Sequence, residues 1–143
     1  MVLNYKFKRM QLDEGFSLYR PIVNVEIEGI QFFPIIDSGC DTTVISEEFA
    51  DAFGIKKREK TTLRAFRETF DVYHGKINIK FIGKTERFDE LLIGIPCLIV
   101  PKEKAWEEDV DLVLGVAGIF EKFKITFDLC NKKLKMEKSI KNT

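Results

Sequence analysis

The sequence predicts an all-β domain, a small closed β-barrel-like sheet with one or two short helices beside it. Three observations point there. Apolar and polar residues alternate in "IVNVEIEGI", where Val23, Val25 and Ile27 oppose Asn24, Glu26 and Glu28, and again in "KINIKFI". That is the period of a half-buried strand. Tight-turn pairs, Glu28-Gly29 and Asn131-Lys132, separate such runs. And "SEEFADAFG" is the clearest helical stretch, too short to build a helical layer.

The elements follow in chain order. "IVNVEIEGI" turns at Glu28-Gly29 into "QFFPIID", a hairpin in which Pro34 marks an edge or bulge. "TTVIS" is a third short strand. In "SEEFADAFG", Ser46 is placed to cap free N–H groups, and Glu47 and Glu48 suit the positive end of a helix. Phe49, Ala52 and Phe53 are expected on its inward face, and Gly54 ends it. "TTLRAFRETFDVYHGKINIKFIG" reads as long strands around a bend, and "FDELLIGIPCLIV" as a further apolar strand. "PKEKAWEED" is a polar loop with one helical turn carrying Trp106. "DLVLGV" is a fully apolar strand. "AGIFEKF" is expected to form a short helix with Ile119, Phe120 and Phe123 inward. "KITFDLCNKKLKM" closes as a hairpin, and "KSIKNT" frays. Cys97 and Cys130 are expected in core or strand, and His74 on the surface of its strand.

The chain has 143 residues, the size of one domain, and all of it, 1–143, is assigned to one. Lysine plus arginine number 23 and aspartate plus glutamate 23, so no net charge recruits nucleic acid. Three cysteines at irregular spacing and a single histidine leave no zinc pattern, and no metal or other cofactor is expected. The apolar run Leu91 to Val100 is too short to span a bilayer, so no membrane contact is expected. "MVLNYKFKRM" lacks the apolar core of a signal peptide. With these unpatterned thiols, it predicts a reducing, cytoplasmic setting.

The segment "PIIDSGCDTTVIS" carries the chemistry. Two isoleucines lead into Asp37, an acid at the end of a buried strand. An ionised carboxylate in apolar surroundings is costly unless it is paired or hydrogen-bonded. Asp-Ser-Gly alone is a common turn sequence, and that plain reading stands beside the functional one. The second signal is distant: the apolar-apolar-glycine "VLG", Val113 to Gly115, followed by "IFEKFKITFD".

Together these motifs resemble the retropepsin-like aspartic proteases, the single-domain family that includes the retroviral proteases. The resemblance runs from about Pro21 to Met136. "IIDSGCDTT" fits the pattern of an apolar pair, Asp, Ser or Thr, Gly, a small residue and soon Thr or Ser. Cys40 stands where alanine is usual. "LVLGVAGIFEKFKITFD" fits an apolar pair, Gly, a short helix and a last strand, with Val116-Ala117 where retroviral members carry Arg-Asn. The resemblance implies a retropepsin (acid protease) fold and an aspartic endopeptidase. Asp37 is then the catalytic carboxylate, and Ser38, Gly39, Leu114 and Gly115 support its loop. Asp41 matches an acid that contacts substrate backbone in retroviral members. The hairpin from Leu63 to Tyr73 would be a flap over a peptide or protein substrate, with its tip near Arg64 to Glu68 and Arg64, Ala65, Phe66 and Arg67 in contact with substrate.

Metal-free peptide hydrolysis of this type needs two carboxylates about 3 Å apart that share one proton. The sequence contains one Asp-Ser-Gly. The second acid is therefore expected from a second copy, in a homodimer. The terminal hairpin "KITFDLCNKKLKM" and the "MVLNYKFKRM" strand are the candidate interface segments. Two other readings stay open: a non-catalytic dimeric peptide-binding module on the same fold, and an unrelated small β-barrel in which Asp37 only makes a turn.

Overall fold

The alternating runs become strands in a computed structural model that describes residues 2–11, 15, 17–65, 68–101 and 111–138, residue 65 by its backbone only. Strand β1 is Val2–Lys6, β2 Lys8–Gln11, β3 Ser17–Arg20, β4 Val25–Ile27, β5 Ile30–Phe32, β6 Ile35–Ile36 and β7 Thr43–Ser46. Helix α1, Glu47–Ala52, follows. Then come β8 Lys60–Ala65, β9 Glu68–Phe81, β10 Glu90–Val100, β11 Leu112–Leu114, β12 Phe123–Asp128 and β13 Lys133–Lys138. The main sheet has eight strands in the order β5-β4-β9-β10-β7-β11-β6, with β8 paired to β9. It curls into a half-barrel. A second sheet runs β1-β13-β12, and β2 pairs with β3.

Local chemistry accounts for the joints. Glu28 and Gly29 both take positive φ, 50° and 79°, which makes the two-residue turn between paired Ile27 and Ile30. Pro34 separates β5 from β6, and its carbonyl still accepts the Val23 N–H at 3.1 Å. Ser46 caps α1: its hydroxyl accepts the Phe49 N–H at 3.1 Å and donates to Asp111 at 2.6 Å. The helix buries Phe49 and Ala50, while Ala52 is exposed, a correction to the expected inward face. The reason is the ring cluster of Phe32, Phe49 and Phe53, with centroids 4.7 to 5.7 Å apart, which sets how the helix rolls onto the sheet.

Phe81 and Phe123 meet edge to face at 5.5 Å, joining the two sheets in one core with Ile79, Leu134 and Met136. Two polar ties reinforce that joint. Tyr5 donates to the Ile82 carbonyl at 3.0 Å, and Lys138 pairs with the largely buried Glu90 at 2.8 Å. Burial holds the Tyr5 phenol protonated well above its ordinary range.

Two expectations are corrected. "AGIFEKF" forms successive hydrogen-bonded turns instead of a helix, because Gly118 takes φ +80° and breaks the helical path. Ile119 and Phe123 are buried as expected. Cys97 lies buried in β10, but Cys130 is exposed in the β12–β13 turn. There the Asp128 carboxylate accepts from the Asn131 N–H at 3.1 Å and its side-chain amide at 2.8 Å, ending the strand before Cys130. Trp106 and the "KSIKNT" tail lie outside the described residues, apart from Lys138, which ends β13. No helix among the described residues is long and apolar enough to cross a membrane.

Candidate active site

The site grows out of one topological feature. Strand β11 lies between β6 and β7, parallel to the first and antiparallel to the second. The C-terminal ends of β6 and β11 and the start of β7 therefore sit at the same edge. The chain that leaves β6 at Ile36 can reach β7 at Thr43 only by arching over the end of β11. That arch is residues 37–42, and its first residue is Asp37.

Hydrogen bonds hold the arch along its length. The Asp37 N–H donates to the Leu114 carbonyl at 2.9 Å. The Gly115 N–H donates to Thr43 Oγ1 at 3.0 Å. The Val116 N–H reaches the Cys40 carbonyl and the Ala117 N–H the Asp41 carbonyl, both at 2.9 Å. Contact is close enough that a Cβ on Gly115 would lie 2.5 Å from the Thr42 carbonyl carbon and 2.7 Å from the Cys40 oxygen. Glycine is needed there for close approach of two backbones.

Within the arch, the Gly39 N–H donates to Asp37 Oδ1 at 2.8 Å, and the Cys40 N–H to the Asp37 carbonyl at 3.2 Å. Ile36 is buried, whereas Asp37, Ser38 and Gly39 are exposed. The acid thus emerges from the core at the first residue that can reach solvent, which avoids the cost of burying its charge. The Cys40 thiol is half-buried and donates to the Thr42 carbonyl at 3.0 Å. Burial first, and the Asp37 charge second, push it above its ordinary value, so it is not a ready nucleophile.

The structure brings Asp37, Ser38, Gly39 and Asp41 into one loop against Leu114 and Gly115. Asp41 is exposed. Arg64 is exposed on β8, a strand that pairs with β9 from Lys60 opposite Tyr73 to Ala65 opposite Glu68. Phe66 and Arg67, at the expected tip, lie outside the described residues, as does the side chain of Ala65. Thr43 lies within the "IIDSGCDTT" motif, but sequence reasoning gave it no role. It is a fully buried hydroxyl that satisfies the Gly115 N–H. Its signals were the Thr or Ser that closes the motif pattern and its inward position at the start of β7. Among the described residues, no group of three or more histidine, cysteine or acidic side chains is placed to hold a metal.

The crystal structure of a retropepsin-like aspartic protease from Rickettsia conorii matches this chain with a TM-score of 0.56, at 12% identity, over 95% of this chain and 91% of that one. No protein-family model and no curated protein matches the sequence. At this identity the likeness establishes the fold, which is retropepsin-like and all-β.

Proposed function

We propose that this protein is an aspartic endopeptidase that works as a homodimer, with Asp37 of each copy forming one site. The observation that carries this reading is the exposed Asp37 carboxylate at the head of an arch pinned to β11, on a fold shared with an aspartic protease. A catalytic carboxylate must be both reachable and rigidly held, and the hydrogen bonds from Gly39 and to Leu114 supply the second condition.

In the dimer, Asp37 and the partner's Asp37 share one proton across the two-fold axis. The charged carboxylate takes a proton from a water, and the resulting oxygen bonds to the peptide carbonyl carbon. The neutral carboxylate gives its proton to the carbonyl oxygen, leaving a tetrahedral diol. As the diol collapses, one of its hydroxyls returns a proton to the charged carboxylate, the C–N bond breaks and the nitrogen takes the proton held by the neutral one, so the shared-proton state returns. Ser38 and Gly39 steady the loop, and Asp41 receives the substrate backbone. The β8–β9 hairpin covers the substrate and excludes water.

Cleavage of a peptide library by wild type and by Asp37→Asn tests the reading. Wild type should cleave, and Asp37→Asn should be inactive with its fold retained. Cleavage by Asp37→Asn at the wild-type rate would overturn the assignment. A folded, dimeric wild type that binds peptides without cutting them would favour a peptide-binding module instead.

A further inference from the structure

We infer that Thr43 is a positioning residue, one whose buried hydroxyl sets the geometry of the Asp37 arch through Gly115. The inference rests on the protease reading for its effect on rate, but its structural core stands on the geometry alone.

Three backbone hydrogen bonds join the arch to Leu114, Val116 and Ala117, and a fourth bond, from Gly115, goes to Thr43 at the foot of the arch. Only the Gly115 N–H to Thr43 Oγ1 bond depends on a side chain. It sits midway along the contact, after the Asp37–Leu114 bond and before the Val116–Cys40 bond. Thr43 has no exposed surface, and Gly115 is also buried. Without the hydroxyl, the Gly115 N–H is left buried away from solvent. A buried donor left unpaired is penalised by its full desolvation, so the backbone must shift to find a partner. The room to shift is small: the space beside Gly115 is too narrow even for a Cβ, which would lie 2.5 Å from the Thr42 carbonyl carbon and 2.7 Å from the Cys40 oxygen. Movement at Gly115 is therefore passed to the arch, and so to Asp37.

Thr43 is also anchored from its other side. It opens β7, where it pairs with Cys97 of β10 in the main sheet. Its hydroxyl thus refers the position of the arch to the rigid centre of the sheet. Valine at this position keeps the shape and the β-branch but removes the acceptor, and serine keeps the acceptor and removes a methyl.

The experiment compares wild type, Thr43→Val and Thr43→Ser. In Thr43→Val, kcat should fall by about tenfold to a hundredfold, with KM changed by less than about twofold, because the reacting carboxylates are displaced while substrate contacts remain. Thr43→Ser should recover most of the rate. Amide hydrogen exchange by NMR provides a readout independent of cleavage: the Gly115 and Gly39 amides should exchange faster in Thr43→Val and near normally in Thr43→Ser. Unchanged kcat and unchanged Gly39 exchange in folded Thr43→Val would overturn the inference. So would a rate loss that serine does not rescue. If wild type cleaves no peptide, the protease reading fails by itself, and the Gly39 exchange in the two variants still decides whether Thr43 positions the arch.

Discussion

Gly115 and Cys40 face the same crowded space with opposite tolerance. An alanine at position 115 would push its Cβ into the Thr42 carbonyl carbon at 2.5 Å, against backbone that cannot rotate away. Overpacking of this kind costs about 1–3 kcal/mol. Gly115→Ala should therefore lower the midpoint of urea unfolding, and it should impair peptidase activity beyond the loss of folded protein. A variant with unchanged stability would mean that the arch is looser than the distances indicate. Cys40 is different. Its thiol is half-buried and kept protonated, and its one hydrogen bond goes to a carbonyl two residues on. Cys40→Ala should retain activity, since methyl fills nearly the same place and no step of the proposed mechanism uses sulfur. Loss of peptidase activity from folded Cys40→Ala protein would assign the thiol a direct role.

At the scale of an element, the β12–β13 hairpin owes its turn to a charged group. The Asn131 side chain, and then its backbone N–H, hold the Asp128 carboxyl below the usual carboxylate range. A carboxylate whose folded pKa is depressed contributes stability above its unfolded value and loses that contribution as pH falls through the lowered one. The turn is thus supported at neutral pH, and its support fades below the ordinary value of 3.8. Asp128→Asn should be less stable than wild type at neutral pH and should lose less stability on acidification. Parallel stability curves for the two proteins from about pH 7 to about pH 2.5 would rule this out. The same turn explains why Cys130 escaped its expected strand. The Asx contact was visible in the sequence only as an Asp three residues before an Asn, a pairing that either a turn or a continuing strand accommodates.

At the scale of the whole molecule, the proposed chemistry depends on concentration. Each chain supplies one Asp37, so a monomer holds half a site. Specific activity should fall on dilution below the dimer dissociation constant. Excess Asp37→Asn chain should suppress wild type by drawing it into mixed dimers. The pH–rate profile should be bell-shaped, with limbs that belong to the pair of carboxylates as a unit. Constant activity per chain over a wide concentration range, with only monomer in sedimentation, would dismiss the shared site.

Much of the architecture was legible from sequence because it rests on local rules. Alternation at Val23, Val25 and Ile27 and at Ile77, Ile79 and Phe81 determined which residues face the core, and all six are buried. Glu28-Gly29 determined a hairpin, and Ser46 a helix start, because both act within four residues. The expected helix at "AGIFEKF" failed for a local reason too: glycine permits a left-handed conformation without announcing that it will adopt one. The motif at Asp37 marked the candidate acid, and the distant "VLG" hinted at its support. What only the tertiary structure decided is how those two segments meet. Insertion of β11 between β6 and β7 forces the chain to arch over Gly115, and that crossing turns Thr43 from one more strand residue into a hydrogen-bond partner 72 positions away. Such a contact obeys no short-range period. It exists because a buried N–H must find an acceptor, and the fold alone determines which acceptor is within reach.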